Sequence, residues 1–358
     1  MTQSAKNYKR IIIKVGSSLF CSKKGEFDKP AFDRFVRQLA VLSKNKKEIV
    51  IVSSGAIALG MVKLGLKSRP RELSYLQAAA AIGQNILMDN YCRAFKDNRI
   101  ALSQAQVLLT WDDFNDRSRY LNAKNTLATL LKLGCLPIIN ENDTVSTDEI
   151  KFGDNDRLSA LVATLVSADL LIMLSDVDGL LDKDKKLVKI VSEITSQVKA
   201  LAAPSEKKTS VGGMITKIQA AKMAVDSGIA CVIANGKSED VLSKIVAEPL
   251  SAQSWTVFLP KKGLAQRERW IAFGTKPKGR IIVDDGAKKA LLNKKSLLSV
   301  GISATENNFD CGCVVSVMDK CGNEFARGKT GFSSKKIEEV KGGRFDKEII
   351  HRNDIVIL

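Results

Sequence analysis

The sequence predicts an α/β protein: a mostly parallel, open sheet sandwiched by helices, with a small β-rich module at the C-terminal end. Three observations carry that expectation. Apolar runs of four to six residues alternate with stretches of helical period as far as about residue 236. These runs are apolar throughout rather than alternating, as strands covered on both faces must be. After about Leu250 the helical period gives way to proline, glycine and short strand-like runs.

Taken in order, "RIIIKVGSSLF" reads as a buried strand closing on a glycine turn, and "FDRFVRQLAVLSKNKK" as a helix with Phe32, Phe35, Val36, Leu39 and Leu42 on one face. "EIVIVSSGAIALG" is a second strand running through glycine into a helix. "YLQAAAAIGQNILMDNYCRAF" is a long, alanine-rich helix and "RIALSQAQVLL" a strand. "RYLNAKNTLATLLKLG" is a helix stopped at Gly134, and "CLPIIN" a short strand. "NDRLSALVATLVSA", "DLLIMLSDVDGL", "TKIQAAKMAVDSG" and "IACVIANG" complete the alternation. "SWTVFLPKKGLAQRERWIAFGTKPKGR" reads as a strand and then a linker. "RIIVDDGAKKALL", "GCVVSVMD", "EFARGKTGF" and "DIVIL" follow as short strands with turns and one short helix. The expected division is a catalytic domain over 1–260, a linker over 261–274 and the β-rich module over 275–358.

Composition bounds the function. The chain has 358 residues, 45% hydrophobic, enough for two domains, and with only 6% aromatics its core must be aliphatic. No apolar run approaches the roughly 20 residues that cross a bilayer. The polar start "MTQSAKNYKR" is followed by only Ile11 to Ile13 as an apolar run, so we expect no signal segment and no membrane partner. Seven scattered cysteines fit reduced thiols in a cytoplasm. Net charge is +17; the first 260 residues hold 36 basic against 27 acidic side chains and the last 98 hold 20 against 12. The C-terminal part is therefore the more densely basic, which attracts nucleic acid or anionic metabolites. A single histidine, His351, leaves no Ser-His-Asp triad or multi-histidine metal site within one chain. Cys311, Cys313 and Cys321 lack a fourth zinc ligand at normal spacing and read as thiols. Catalysis must then use Lys, Asp, Asn, Ser and backbone amides.

In doubly wound sheets, ligands collect at the C-terminal ends of the strands. Here those ends are Lys14-Val-Gly-Ser-Ser18, Ser53-Ser-Gly-Ala56, Ile139-Asn-Glu-Asn-Asp-Thr144 with Gly153-Asp-Asn-Asp156, and Leu174-Ser-Asp-Val-Asp-Gly179. All are small, polar or glycine-rich, and together they point to one shared site. Lys14 and Lys217 are candidate counter-charges for phosphates. Gly16, Gly55, Gly212 and Gly213 let backbone N–H groups approach oxygen closely, and helix N-termini after Gly55 and Gly213 add positive dipole ends. "SVGGMITK" is not the G-x-x-x-x-G-K-[ST] loop, because no glycine directly precedes Lys217. Phosphoryl transfer needs chiefly such positioning and charge neutralisation. A carboxylate acceptor, with a pKa of about 4.3, is already ionised and needs no general base. Asp156 is then an orienting anion for the lysines.

"IIIKVGSS", "VIVSSGAIALG", "LLTWDDFNDRSRYLNAKNTL", "PIINENDTV", "IKFGDNDRLSALVA", "LIMLSDVDGL" and "VGGMITKIQAA" together resemble the amino acid kinase family over nearly the whole chain. Within it, "INENDTV" followed by "FGDND" resembles the members that phosphorylate the γ-carboxylate of L-glutamate. "RWIAFGTKPKGRIIVDDGAKKAL" looks like the start of the PUA domain those members carry. The resemblance implies the amino acid kinase fold. It implies ATP with Mg²⁺, γ-glutamyl phosphate as product on the route to proline, feedback inhibition by proline, and a homo-oligomer, dimer or tetramer. It implies that Lys14 contacts the ATP phosphates and that Ser54, Gly55, Asp143 and Asn155 bind glutamate, Asp143 meeting the α-ammonium. It also implies that Asp156 organises the two lysines and that Ser175 and Asp176 lie near the nucleotide. Val211, Gly212, Gly213, Met214, Ile215, Thr216 and Lys217 would wrap the phosphates, Lys217 stabilising the transition state. No metal ligand stands out in the sequence.

The chain departs from the family pattern at Ser53 and Ser175, where threonine is frequent, and the hydroxyl is kept. At Val211, where the family usually has threonine, the hydroxyl is lost and only the backbone N–H remains. Two other readings stay open on the residues alone. One is another carboxylate kinase of the family, such as an acetylglutamate kinase or aspartokinase. The other is an RNA-binding regulator acting through the PUA module, against which the intact Lys14, Asp156 and Lys217 argue. The module shows no arginine-aromatic cluster for base stacking, which favours a structural or regulatory role.

Overall fold

The computed structural model describes residues 8–20, 27–146, 155–202, 213–251, 254–261, 266–275 and 277–358. Contacts divide the chain into two units, Met1–Asp113 with Arg117–Gly263, and Phe114–Asp116 with Leu264–Leu358.

The first unit is built on eight strands: β1 (Arg10–Val15), β2 (Glu48–Ser53), β3 (Gln104–Leu109), β4 (Leu136–Glu141), β5 (Leu170–Ser175), β6 (Ile190–Val191), β7 (Ala230–Asn235) and β8 (Trp255–Phe258). They lie in the order β3-β4-β2-β1-β5-β7-β8-β6. The pairs from β3 through to β7 are parallel; β8 runs antiparallel to β7. The central strands are buried along almost their whole length, which is why they read as continuous apolar runs. From β1 the sheet extends through β2, β4 and β3 on one side, the chain reaching the edge strand β3 before it returns to β4, and through β5 and β7 on the other. The loops after β1 and β5 therefore diverge and leave a crevice at their carboxyl ends. There the Gly16 N–H reaches across to the Leu174 carbonyl, 3.3 Å away.

The helices up to Ala247 are α1 (Lys29–Lys44), α2 (Ala56–Lys63), α3 (Leu73–Asp97), α4 (Trp111–Asn115, whose last two residues count with the second unit), α5 (Arg117–Lys132), α6 (Asn155–Leu165), α7 (Ser196–Leu201), α8 (Met214–Asp226) and α9 (Val241–Ala247). α1 starts at Asp28, whose carboxylate accepts from the Ala31 N–H. Its predicted apolar face is buried as expected, with the Phe32 ring against Phe20 and Tyr91 at 4.8 and 4.7 Å between centroids. α2 and α3 cross at backbone contact. A Cβ on Gly60 would lie 1.8 Å from the Ala79 oxygen, and one on Gly83 would lie 1.7 Å from the Ala56 oxygen. α6 is buried at every residue but Arg157, with the Ser159 and Thr164 hydroxyls donating back to the Asp156 and Ala160 carbonyls.

The second unit contains α10 (Gln266–Arg269), a π turn over Trp270–Gly274, β9 (Arg280–Val283), α11 (Asp285–Leu292), β10 (Ile302–Glu306), β11 (Val314–Met318), β12 (Glu324–Lys329), α12 (Ser334–Val340) and β13 (Ile355–Ile357). The strand order is β10-β9-β11-β12-β13, with only β9 and β11 parallel. Ile281, Val283, Leu291, Val315, Val317 and Ile337 belong to its own core.

Sequence reading placed the alternating strands and helices correctly but missed α4, β6, α7, α9, α10, β10 and α12. Each is short or polar. α10 has four residues, too few for a period to register, and with the π turn it occupies ground read as linker. β10 is a half-exposed edge strand, and α12 buries only Ser334 and Ile337.

Candidate active site

Side-chain alternation decides what reaches the crevice. Ile11, Ile13 and Val15 share one core with Phe35 of α1, Leu87 and Tyr91 of α3 and Leu242 of α9. Lys14 has the opposite parity, so its side chain leaves the other face of the sheet, where α6 and α8 pack together. There the Lys14 Nζ stands 2.6 Å from Asp156 Oδ1, and the Lys217 Nζ of α8 stands 3.2 Å from Asp156 Oδ2. The Thr216 hydroxyl donates to the same Oδ2 at 2.9 Å. The three charged residues are buried; Asp156 is 1% exposed. Burial alone pushes the Asp156 carboxyl up, but the charges of Lys14 and Lys217 and the bonds from Lys14 and Thr216 outweigh it and hold it below its ordinary range. One carboxylate thus fixes two ammonium groups at a set separation, which a lone buried lysine pair would not tolerate.

Beside this cluster lies the start of α8. Its N-cap, Gly213, has no side chain to bond the first-turn amides, and a Cβ there would meet nothing within 4 Å. Uncapped amides, a positive dipole end and two ammonium groups make a fit for phosphate oxygens. Gly16 borders the same space, since a Cβ on it would come within 3.9 Å of the Lys14 Nζ. Among the described residues no group of three or more His, Cys, Asp or Glu is placed to hold a metal. A divalent ion carried on phosphate oxygens needs no such group.

The other half of the site joins the ends of β2 and β4 to the start of α6. Gly55, at φ +112°, is the left-handed N-cap of α2, a conformation that favours glycine. The Asn155 Nδ2 donates to Ser54 Oγ at 2.7 Å, to the Asn140 Oδ1 at 3.0 Å and to the Ser53 carbonyl at 3.1 Å. Asn140 in turn donates from Nδ2 to Gln84 Oε1 of α3 at 2.9 Å. The buried Tyr91 hydroxyl donates to Ser53 Oγ at 3.0 Å. Asp143 sits half-buried in the turn after β4, whose Asn142 N–H bonds the Leu109 carbonyl. Burial pushes the Asp143 carboxyl up to about 6, with the Arg69 charge pulling the other way. A cation bound beside this carboxyl would favour its charged form, as the Arg69 charge does.

Of the residues expected from sequence, Lys14, Asp156, Thr216 and Lys217 come into direct contact, as do Ser54 and Asn155. Gly213, Met214 and Ile215 form the open start of α8. Ser175 and Asp176 lie at the end of β5, the neighbour of β1, where Ser175 Oγ donates to Asp176 Oδ1 at 3.1 Å. Val211 and Gly212, together with the 147–154 stretch that holds Phe152-Gly153-Asp154, lie outside the described residues. Asn140, Gln84 and Tyr91 were not anticipated. The parity of β4, with Leu136 and Ile138 in the core, was the available signal for Asn140: an amide at the next inward position. His351 is exposed in the second unit, where its Nδ1 accepts from the Asn353 N–H.

Comparison with known proteins adds to this geometry. A family model described as "Amino acid kinase family" matches residues 9–235, and one described as "PUA domain" matches residues 279–352. A glutamate 5-kinase of Caldanaerobacter subterraneus subsp. tengcongensis is 45% identical over 368 residues, covering 98% of each chain. One of Geobacter sp. (strain M21) is 44% identical over 372 residues, covering 99% of this chain and 98% of its own. A solved carbamate kinase from Giardia lamblia aligns with a TM-score of 0.49 at 15% identity, over 72% of this chain and 100% of its own.

Proposed function

The chain belongs to the amino acid kinase family, and from that premise we infer that it phosphorylates the γ-carboxylate of L-glutamate at the expense of ATP, the first step of proline biosynthesis. The observation that carries the assignment of the site is Asp156 bridging two buried lysines far apart in the sequence, Lys14 and Lys217. ATP, with its Mg²⁺, supplies the phosphoryl group: a γ-carboxylate oxygen of glutamate bonds to the γ-phosphorus as the bond to the β–γ bridging oxygen breaks, leaving γ-glutamyl phosphate and ADP.

The residues of this chain do the rest. Lys14 and Lys217 neutralise oxyanions of the transferring group and of the leaving group, Asp156 keeping both ammoniums aimed into the crevice. The first-turn amides of α8, from Met214 to Thr216, add fixed dipoles. Ser175 and Asp176 border the nucleotide. Ser54, Gly55 and Asn155 bind the glutamate backbone, and Asp143 meets its α-ammonium. No residue acts as general base, because the attacking carboxylate is ionised at neutral pH. Lys217, held by Asp156, strengthens its contact as charge moves to the bridging oxygen, and a contact that tightens in the transition state raises kcat.

The reading extends to 1–260 as the catalytic domain, 261–274 as its linker and 275–358 as the PUA domain, to a cytoplasmic homo-oligomer, and to proline as an inhibitor. The dense positive charge of the last 98 residues suits RNA, but without an arginine-aromatic cluster the reading favoured for the PUA domain is a structural or regulatory role. No helix among the described residues is long and apolar enough to cross a membrane. Incubation with ATP, Mg²⁺ and hydroxylamine, with glutamate, acetylglutamate or aspartate as acceptor, tests the activity. Hydroxamate from glutamate alone is the expected result; hydroxamate from aspartate or acetylglutamate instead would overturn the acceptor, and none from any would overturn the kinase.

A further inference from the structure

α3 carries three polar side chains at intervals of seven, Gln77, Gln84 and Tyr91. That spacing returns to the same face of a helix within about 20° per step. Each touches a different segment of the glutamate half of the site. The Gln77 Nε2 donates to the Ser146 carbonyl at 3.3 Å, Gln84 Oε1 accepts from Asn140 Nδ2 at 2.9 Å, and the Tyr91 hydroxyl donates to Ser53 Oγ at 3.0 Å. The middle contact has a direction that chemistry fixes. The Glu141 backbone N–H can only donate, and it donates to Asn140 Oδ1 at 2.9 Å. Asn140 must therefore turn its Nδ2 to Gln84, which must answer with its oxygen. The same Oδ1 faces Asn155, which must answer with Nδ2. Asn140 is 3% exposed, so neither end of its amide can turn to water instead. The far end of the Gln84 amide, Nε2, is buried with no hydrogen-bond partner among the described residues. Among the described residues, then, the Gln84 amide bonds through its oxygen.

We propose that Gln84 is a positioning residue for glutamate: by accepting from Asn140 Nδ2 it holds in place the Asn140 side chain, whose direction the Glu141 N–H sets, so that Asn140 Oδ1 and the Ser53 carbonyl together keep the Asn155 nitrogen toward the protein and its Oδ1 toward the ligand. An amide oxygen is an acceptor and suits an α-ammonium; a flipped amide would oppose a donor to a cation. Gln84 touches neither substrate. It acts through Asn140 and Asn155, from 56 residues and 71 residues away in sequence respectively. The inference rests on glutamate as the acceptor substrate.

Steady-state kinetics of the full chain test it with two variants. Gln84→Met keeps the length of the side chain and removes the acceptor. The glutamate KM is expected to rise about tenfold, the size of one lost buried hydrogen bond, while the ATP KM and kcat stay within about twofold. Gln84→Glu keeps an oxygen for Asn140 and is expected to hold the glutamate KM within about threefold of the parent. An unchanged glutamate KM in Gln84→Met overturns the proposal. So does a rise of both KM values in both variants together with a lower Tm, because that is the pattern of a purely structural helix residue. Absence of glutamate-dependent product from the parent chain is a different result: it removes the activity itself, and the role of Gln84 with it.

Discussion

At the scale of single residues the site separates into parts that can be removed one at a time. Lys217→Ala leaves Asp156 with Lys14 and Thr216, so the carboxylate is still paired and the fold should persist. The kcat should fall at least about 100-fold, as for loss of one transition-state donor. Stopped assays at saturating substrates decide it, and near-normal kcat would remove Lys217 from catalysis. Asp143 offers a pH test. Its carboxyl, pushed up to about 6 by burial, is protonated below that pH and has then no charge for an ammonium. The KM for glutamate should therefore rise as pH falls through about 6, and Asp143→Asn should give a high KM that is flat across the same range. A pH-dependent KM that survives the substitution would place the titration elsewhere. The lysines and Asp156 were legible in the sequence because Lys14 ends an apolar strand, while Asp156 and Lys217 stand at helix starts that follow glycine-containing polar loops. Gln84 and Tyr91 were not. Nothing in the helical pattern of α3 distinguishes a glutamine that faces Asn140 from one that faces water, and the pairing spans 56 residues.

At the scale of elements, α2 and α3 act as one block. The contacts of Gly60 with Ala79 and of Gly83 with Ala56 leave no room for a methyl group. Gly83→Ala should force the helices apart, lowering Tm by several degrees, since overpacking costs about 1–3 kcal/mol. Because Ala56 follows Gly55 directly, the same shift moves Ser54 and Gly55, and the glutamate KM should rise more than the ATP KM. Thermal melts and paired KM measurements check this; an unshifted Tm would show that the crossing is slack. The strand and helix order of the first unit was readable because its strands are buried on both faces and its helices long. Sequence reading failed where burial is partial. β10 has one buried residue at its start, and α10 has only four residues. Close approach of two helices is also invisible in one sequence, since glycine at positions 60 and 83 reads equally as a flexible joint.

At the scale of the whole molecule, each unit has its own hydrophobic core, one around β1 and α1, the other around β9 and β11. A chain ending at Gly263 should keep measurable glutamate kinase activity. A folded but wholly inactive truncation would make the second unit part of the active site. The cut belongs at Gly263 rather than at residue 274, because Ile271 and Ala272 share a cluster with Val314 and Val356 and would be stranded by a later one. The charge of the last 98 residues was plain in the sequence, whereas the position of the boundary was not, since the four residues of α10 look like linker. The bridge through Asp156 also sets an order in time. Lys14 emerges from a ribosome early, Asp156 next, and Lys217 only when three-fifths of the chain has been made. Until α8 is complete, the carboxylate of Asp156 has only Lys14 to answer it. A nascent chain can therefore hold a finished sheet centre and still be unable to spend ATP. Synthesis of the enzyme and onset of its chemistry are separated by construction.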